Sequence, residues 1–171
     1  MNKLNLTFKA TECNGWPKLR FFVDDDLIED FNFTSDSAEI SIPMDFLNGE
    51  YSLNIEFYGK TKKNTILDEN KNIAKDQTVE LVNMYYDNIL LPDIFKWQGV
   101  YKFLNFKKPQ VLNWGNNGVW QWKFKVPLLN WILDTKISNT EKYYPPEITN
   151  IERIKIEEEK IQLLKNQIDK L

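Results

Sequence analysis

Through residue 126 the chain is built from short runs in which apolar and polar residues alternate, broken by turn residues. Leu4, Leu6 and Phe8 alternate with polar neighbours and predict a first strand, because successive side chains on a strand point to opposite faces. Runs at 19–23 and 27–33 predict two more strands, with Asp24, Asp25 and Asp26 between them as a hairpin loop. Ala38, Ile40 and Ile42 alternate with Glu39, Ser41 and Pro43, and Tyr51, Leu53, Ile55 and Phe57 with Ser52, Asn54 and Glu56. Val79, Leu81 and Met84 mark a strand over 78–86, and a turn at Asp87-Asn88 leads into another at 89–91. Residues 97–106 show no clear alternation and, with Pro109 behind them, read as a long loop. Trp120, Trp122 and Phe124 share one face of a last strand, with Gln121, Lys123 and Lys125 on the other. Many short strands without a strand–helix alternation predict a mainly β chain, with a β-sandwich or jelly-roll body over 1–126.

After Pro127 the pattern changes. Leu128, Leu129, Ile132 and Leu133 give an apolar face to a short helix over 128–136, with Pro127 suited to its first turn. The Pro145-Pro146 pair behind Tyr143 and Tyr144 makes a stiff hinge, so 127–146 reads as a helix and linker. Residues 147–171 contain neither Gly nor Pro, and Ile154, Ile161, Leu164, Ile168 and Leu171 recur at helical spacing. Ile154, Ile161 and Ile168 fall at a positions and Leu164 and Leu171 at d, with Glu157 interrupting the seam. That arrangement favours a parallel two-stranded coiled coil. A helix of this length is marginal alone in water, so the seam is expected to be covered by the chain's own body, a second copy or another protein.

Composition narrows the chemistry. The formal net charge is −3 and the pI near 5.2, which argues against a nucleic-acid partner. The Lys and Arg residues are scattered along the chain, and Lys60, Lys62 and Lys63 form a basic group that reads as a solvated loop. Cys13 stands alone and permits no intrachain disulfide. The chain has no His, which removes the usual general base and the commonest zinc ligand. Neither a signal-peptide pattern nor a run of membrane-spanning length is present, so no membrane partner and no export are expected.

Candidate chemistry is sparse. Asp24, Asp25 and Asp26, joined by Asp87 and Asp93 from a second loop, are the carboxylates that would suit Ca²⁺, but their spacing matches no EF-hand and the Asp triplet reads first as a plain hairpin turn. No phosphate-cradling Gly motif occurs, and no acid/base pair announces itself among 25 acidic residues. Aromatic residues make up 14% of the chain. Trp120 and Trp122 read as core, whereas Trp97 and Trp114 lie in loop-like surroundings, where an exposed ring would stack on a sugar or anchor a protein interface.

Two stretches carry a family resemblance. One runs from Tyr58 through Lys60, Lys62, Lys63 and Asp68 to Ile73, and on through 77–84 to Asp87, Asn88 and Pro92. The other joins Asn117, Gly118, Val119 and Trp120 to Phe124, Pro127 and the apolar helix ending at Leu133. They resemble small virion-associated proteins of marine tailed bacteriophages (cyanophage and pelagiphage type), which are similar to calcium-dependent, xylan-binding carbohydrate-binding modules. The resemblance covers most of 1–135 and leaves out 147–171. It implies a β-sandwich and a phage origin more directly than sugar binding. In those modules calcium sits in a loop of carboxylates and bridges to sugar hydroxyls; the ligands do not match this sequence one by one, so no calcium site is carried over.

The resulting expectation is a non-enzymatic virion structural or assembly protein, made in the host cytoplasm and serving as a capsid decoration or a tail or fibre component. It would associate with itself or with other virion proteins through the seam at 147–171. A glycan-binding adhesin using Trp97 or Trp114 is the rival, and an enzyme acting on polysaccharide is least favoured.

Overall fold

A computed structural model describes residues 2–138, so the hinge at 143–146 and the seam at 147–171 lie outside the described residues. In chain order the strands are β1 (Lys3–Thr11), β2 (Lys18–Val23), β3 (Asp26–Asn32), β4 (Ser37–Pro43) and β5 (Gly49–Tyr58). Next come β6 (Thr65–Leu67), β7 (Ile73–Asp76), β8 (Thr78–Tyr86) and β9 (Ile89–Leu90), then helix α1 (Asp93–Trp97). The chain continues with β10 (Val100–Phe103), β11 (Phe106–Pro109), β12 (Asn113–Trp114), β13 (Gly118–Val126) and helix α2 (Leu128–Ser138). Contacts divide the chain into two units, 1–125 and 126–171, and α2 belongs to the second.

The first unit is a sandwich of two antiparallel sheets. One sheet runs β12-β8-β1-β4, with β9 also paired to β8, and the other runs β11-β10-β13-β5-β2-β3. β6 and β7 make a separate small hairpin. The alternation read from the sequence fixes which residues meet between the sheets. Leu4, Leu6 and Phe8 of β1 point inward and are fully buried, as are Leu19 and Phe21 of β2 and Leu53, Ile55 and Phe57 of β5. Phe8 meets Phe21 edge-on across the gap at 5.8 Å, and each such burial contributes roughly 1.5–3 kcal/mol. Trp120, Trp122 and Phe124 of β13 complete the layer.

Residues 97–106 are not the long loop that their irregular pattern predicts. They end α1, form β10 and begin β11. Alternation is missing for a physical reason: β11 lies at the sheet edge with all four residues exposed, and only Tyr101 of β10 is buried. Lys107, Lys108 and Pro109 suit such an edge, since charge and proline discourage pairing with another chain.

Two hairpin turns are held by the same device. Asp24, with φ of 52°, donates its backbone N–H to the Ser52 carbonyl (2.7 Å) and accepts the Ser52 N–H on Oδ1 (2.8 Å). Its own carbonyl accepts from Asn54 Nδ2 at 3.0 Å. Asp87, with φ of 51°, makes the same three bonds, to Lys3 in both directions and from Asn5 Nδ2. Aspartate tolerates positive φ better than most residues, and its short acceptor reaches the neighbouring strand. A third device serves the register shift on β8 opposite Thr7 and Phe8. The buried Lys96 ammonium of α1 donates to the Val82 carbonyl there and pairs with Asp93 at 2.9 Å.

Candidate ligand-binding face

The outward side of the six-stranded sheet carries a connected row of polar side chains. Alternation places Phe22 of β2, Ser52 and Asn54 of β5, Gln121 of β13 and Lys102 of β10 on that side, because their neighbours Phe21, Leu53, Trp120 and Tyr101 are the inward ones. Phe22 stands opposite Asn54 in the β2–β5 register. Gln121 Nε2 donates to Ser52 Oγ (2.9 Å) and to Asn54 Oδ1 (3.0 Å), and its Oε1 accepts from Lys102 Nζ at 2.6 Å. The row crosses four adjacent strands, β10, β13, β5 and β2, a span of about 14 Å at a strand spacing of about 4.8 Å. Every side chain in it is half-buried, so the groups are held in place yet reachable.

A charged cluster bounds the row on the β2 side. The Tyr58 hydroxyl donates to Asp30 at 2.6 Å, and Arg20 Nε donates to the same carboxylate at 3.1 Å. The Tyr58 contact, then the Arg20 contact, hold the Asp30 carboxyl below its ordinary range. The same hydrogen bond pushes the Tyr58 phenol up, and Asp30 raises the Arg20 guanidinium. Arg20 also lies 3.9 Å above the Tyr58 ring. Elsewhere, a concavity of about 370 Å³ lies over β1, β4, β8 and β12 and is lined by Lys9, Asp36, Thr78, Glu80 and Asn113 among others, none of them aromatic.

The structure distributes the residues singled out by sequence in different ways. Trp114 is fully buried and stacks on Tyr101 at 5.4 Å, so it offers no ring to an external sugar or partner. It belongs to β12, whose two residues pair with β8 and turn the indole inward. Trp97, at the end of α1, is 41% exposed. Trp120 and Trp122 are core, as their alternation implies. Trp120 Nε1 finds no hydrogen-bond acceptor among the described residues, and Gly99 packs so tightly on the indole that an added Cβ would come within 2.1 Å.

The Asp24–Asp26 loop and Asp87 sit in hairpins of different sheets. The Oδ1 atoms of Asp24 and Asp87 are taken by backbone N–H groups. Among the described residues no group of three or more acidic or Cys side chains is arranged to hold a metal ion. The Asp residues weighed for calcium and set below a plain turn do not gather into one group among the described residues.

Lys60 is a correction too. Far from being solvated, its ammonium is nearly buried and donates to Asp76 Oδ1 (2.5 Å), the Gly115 carbonyl (2.6 Å) and the Gln77 carbonyl (2.9 Å). Sequence reasoning missed the polar row on the sheet face, although the alternation that made Trp120 and Trp122 core also assigns Gln121 to the outer side. The sequence reading also passed over the acidic residues: none stands between Asp93 and Asp134, an interval that contains Lys96, Lys102, Lys107, Lys108, Lys123 and Lys125.

No protein-family model matches this chain, and no curated protein matches it in sequence. Among solved structures it is similar to vCBM60 in complex with galactobiose, at 11% identity over 70% of this chain and 96% of that one, with a TM-score of 0.47. It is similar also to the selenomethionine form of vCBM60, described in connection with a circular permutation linking two families of calcium-dependent carbohydrate-binding modules. That match has 12% identity over 71% of this chain and 90% of the other, with a TM-score of 0.48.

Proposed function

We propose that the chain is a non-catalytic glycan-binding β-sandwich module whose ligand lies across the outer face of the six-stranded sheet. One observation carries this reading: the connected row of Lys102, Gln121, Ser52 and Asn54, with Phe22 at its end. Amides and hydroxyls both donate and accept, which suits sugar hydroxyls. A protein-binding patch would be expected to have a more apolar, charge-depleted centre.

Titrating the full chain with a panel of gluco-, xylo- and galacto-oligosaccharides tests the proposal. Gln121→Ala should weaken binding by roughly tenfold, the worth of about 1.4 kcal/mol, with little change in melting temperature, whereas Asn54→Ala should weaken binding and also lower the melting temperature, because Asn54 Nδ2 holds the Asp24 carbonyl. Binding should persist in EDTA, because the Asp24 and Asp87 carboxylates already serve backbone groups. Absence of binding across the panel, or affinity indifferent to both substitutions, would reject the reading.

A virion setting is supported by the resemblance of 58–92 and 117–133 to marine phage proteins, and an assembly role by the heptad spacing of Ile154, Ile161, Leu164, Ile168 and Leu171. In that setting the sheet face would serve attachment and the C-terminal seam assembly.

A further inference from the structure

We propose that the ligand of this face is an acidic polysaccharide, whose carboxylate or sulfate groups meet Lys102, Lys107 and Lys123; this rests on the reading of the face as a glycan site. The acid-free interval between Asp93 and Asp134 contains β10, β11 and β13. These strands are neighbours at one side of the six-stranded sheet, so a local sequence bias becomes a basic surface on a chain of net charge −3.

Register decides which lysines share the face. Lys102 stands directly opposite Lys107, and Lys123 lies two residues beyond Gln121 on the same side of β13. Lys108 is on the other side, with its ammonium 5.6 Å from the Phe103 ring centre. Like charges facing each other across paired strands are destabilising, and an anion between them would relieve that repulsion.

Lys123 lies near the Glu50 carboxylate, whose ion pair is with Lys125 at 2.6 Å, so none of the three lysines has a carboxylate to itself. Lys60, Lys75, Lys96, Lys125 and Arg20 each pair with Asp or Glu. Among the described residues, Lys102, Lys107 and Lys123 make no ion pair, and the Lys102 ammonium rests on the neutral Gln121 amide. These cations, which make no ion pair of their own, therefore lie beside the polar row that would hold sugar hydroxyls. The apolar residues on this side of the three strands are Val100, Pro109 and Val119, which give no platform for stacking nucleic-acid bases. An anionic glycan fits the charge and the hydrogen-bonding groups together.

The test compares matched polymers that differ in charge: polygalacturonate against its methyl-esterified form, and a sulfated galactan against the desulfated chain. The full chain should bind the charged member of at least one pair about tenfold more tightly, a preference that salt screens away. The pair showing the preference distinguishes carboxylate from sulfate. Lys107→Glu combined with Lys123→Glu should erase the preference while leaving binding of the uncharged form, whereas Gln121→Ala should weaken both forms. Lys107→Gln with Lys123→Gln, checked for an unchanged melting temperature, guards against a general effect of charge reversal. Equal binding of charged and uncharged forms overturns the acidity and leaves the glycan reading standing. Binding to no polysaccharide at all overturns both. Tighter binding to a single-stranded oligonucleotide or to phosphatidylserine vesicles than to any acidic glycan assigns the lysines to another partner and also overturns it.

Discussion

Replacing Lys60 by methionine keeps most of the side chain's length and removes its charge and its three donors. The ammonium now contacts the Asp76 carboxylate and the carbonyls of Gln77 and Gly115, with side-chain exposures of 9% for Lys60 and 18% for Asp76. After the change Asp76 keeps the Thr65 hydroxyl at 2.5 Å, but the two carbonyls lose this donor. Breaking a buried pair from one side costs about 3–5 kcal/mol. The residual exposure of Asp76 argues for the lower end, so we expect a loss of about 3 kcal/mol. For a chain of this size that lowers the melting temperature by about 6–12 °C. Urea unfolding of Lys60→Met, Asp76→Asn and the double variant measures the loss and the coupling between the two residues, which should be about 2 kcal/mol. An unchanged slope against urea would confirm that stability, rather than the extent of unfolding, has moved. A loss below about 1 kcal/mol, or additive single changes, would mean that water solvates this ammonium and that it clamps nothing.

The two tryptophans expected to behave alike should behave oppositely: Trp114→Ala should cost about 3–5 kcal/mol, and Trp97→Ala much less, as chemical denaturation will show. Burial raises the Tyr101 phenol above its ordinary value of 10, and its hydroxyl donates to the Asn116 carbonyl. The stabilisation from this shift is whole below pH 10 and is lost as the pH rises beyond it, because the unfolded chain ionises first. The urea midpoint should therefore fall between about pH 8 and about pH 11, and fall less in Tyr101→Phe; Tyr58 and Tyr86, also raised, will keep part of the dependence.

Where a strand has one buried face, its place in the fold could be read directly. Leu4, Leu6 and Phe8, Leu53, Ile55 and Phe57, and Trp120, Trp122 and Phe124 are all inward, as their spacing requires. β10 and β11 escaped because two four-residue strands that bury only Tyr101 between them have no periodicity to display. Trp114 escaped because a strand of two residues is too short to carry a pattern. The surroundings of Lys60 are set by Asp76, Gln77 and Gly115, which only the folded chain brings near it. The polar row was legible in Ser52, Asn54 and Gln121 taken singly, but its continuity depends on the order in which four strands lie side by side.

The paired turns at Asp24 and Asp87 bear on how metal dependence in this protein should be sought. Each carboxylate accepts a backbone N–H from a strand distant in sequence, so removing it unpins a hairpin. Alanine at either position would then weaken any function of the body for reasons unrelated to an ion, and such a result would pass for a lost ligand. Chelation of the unmodified chain, read against its melting temperature, separates the two causes. Acidic loops can be conspicuous in a sequence because backbone geometry, and not a guest, has claimed them.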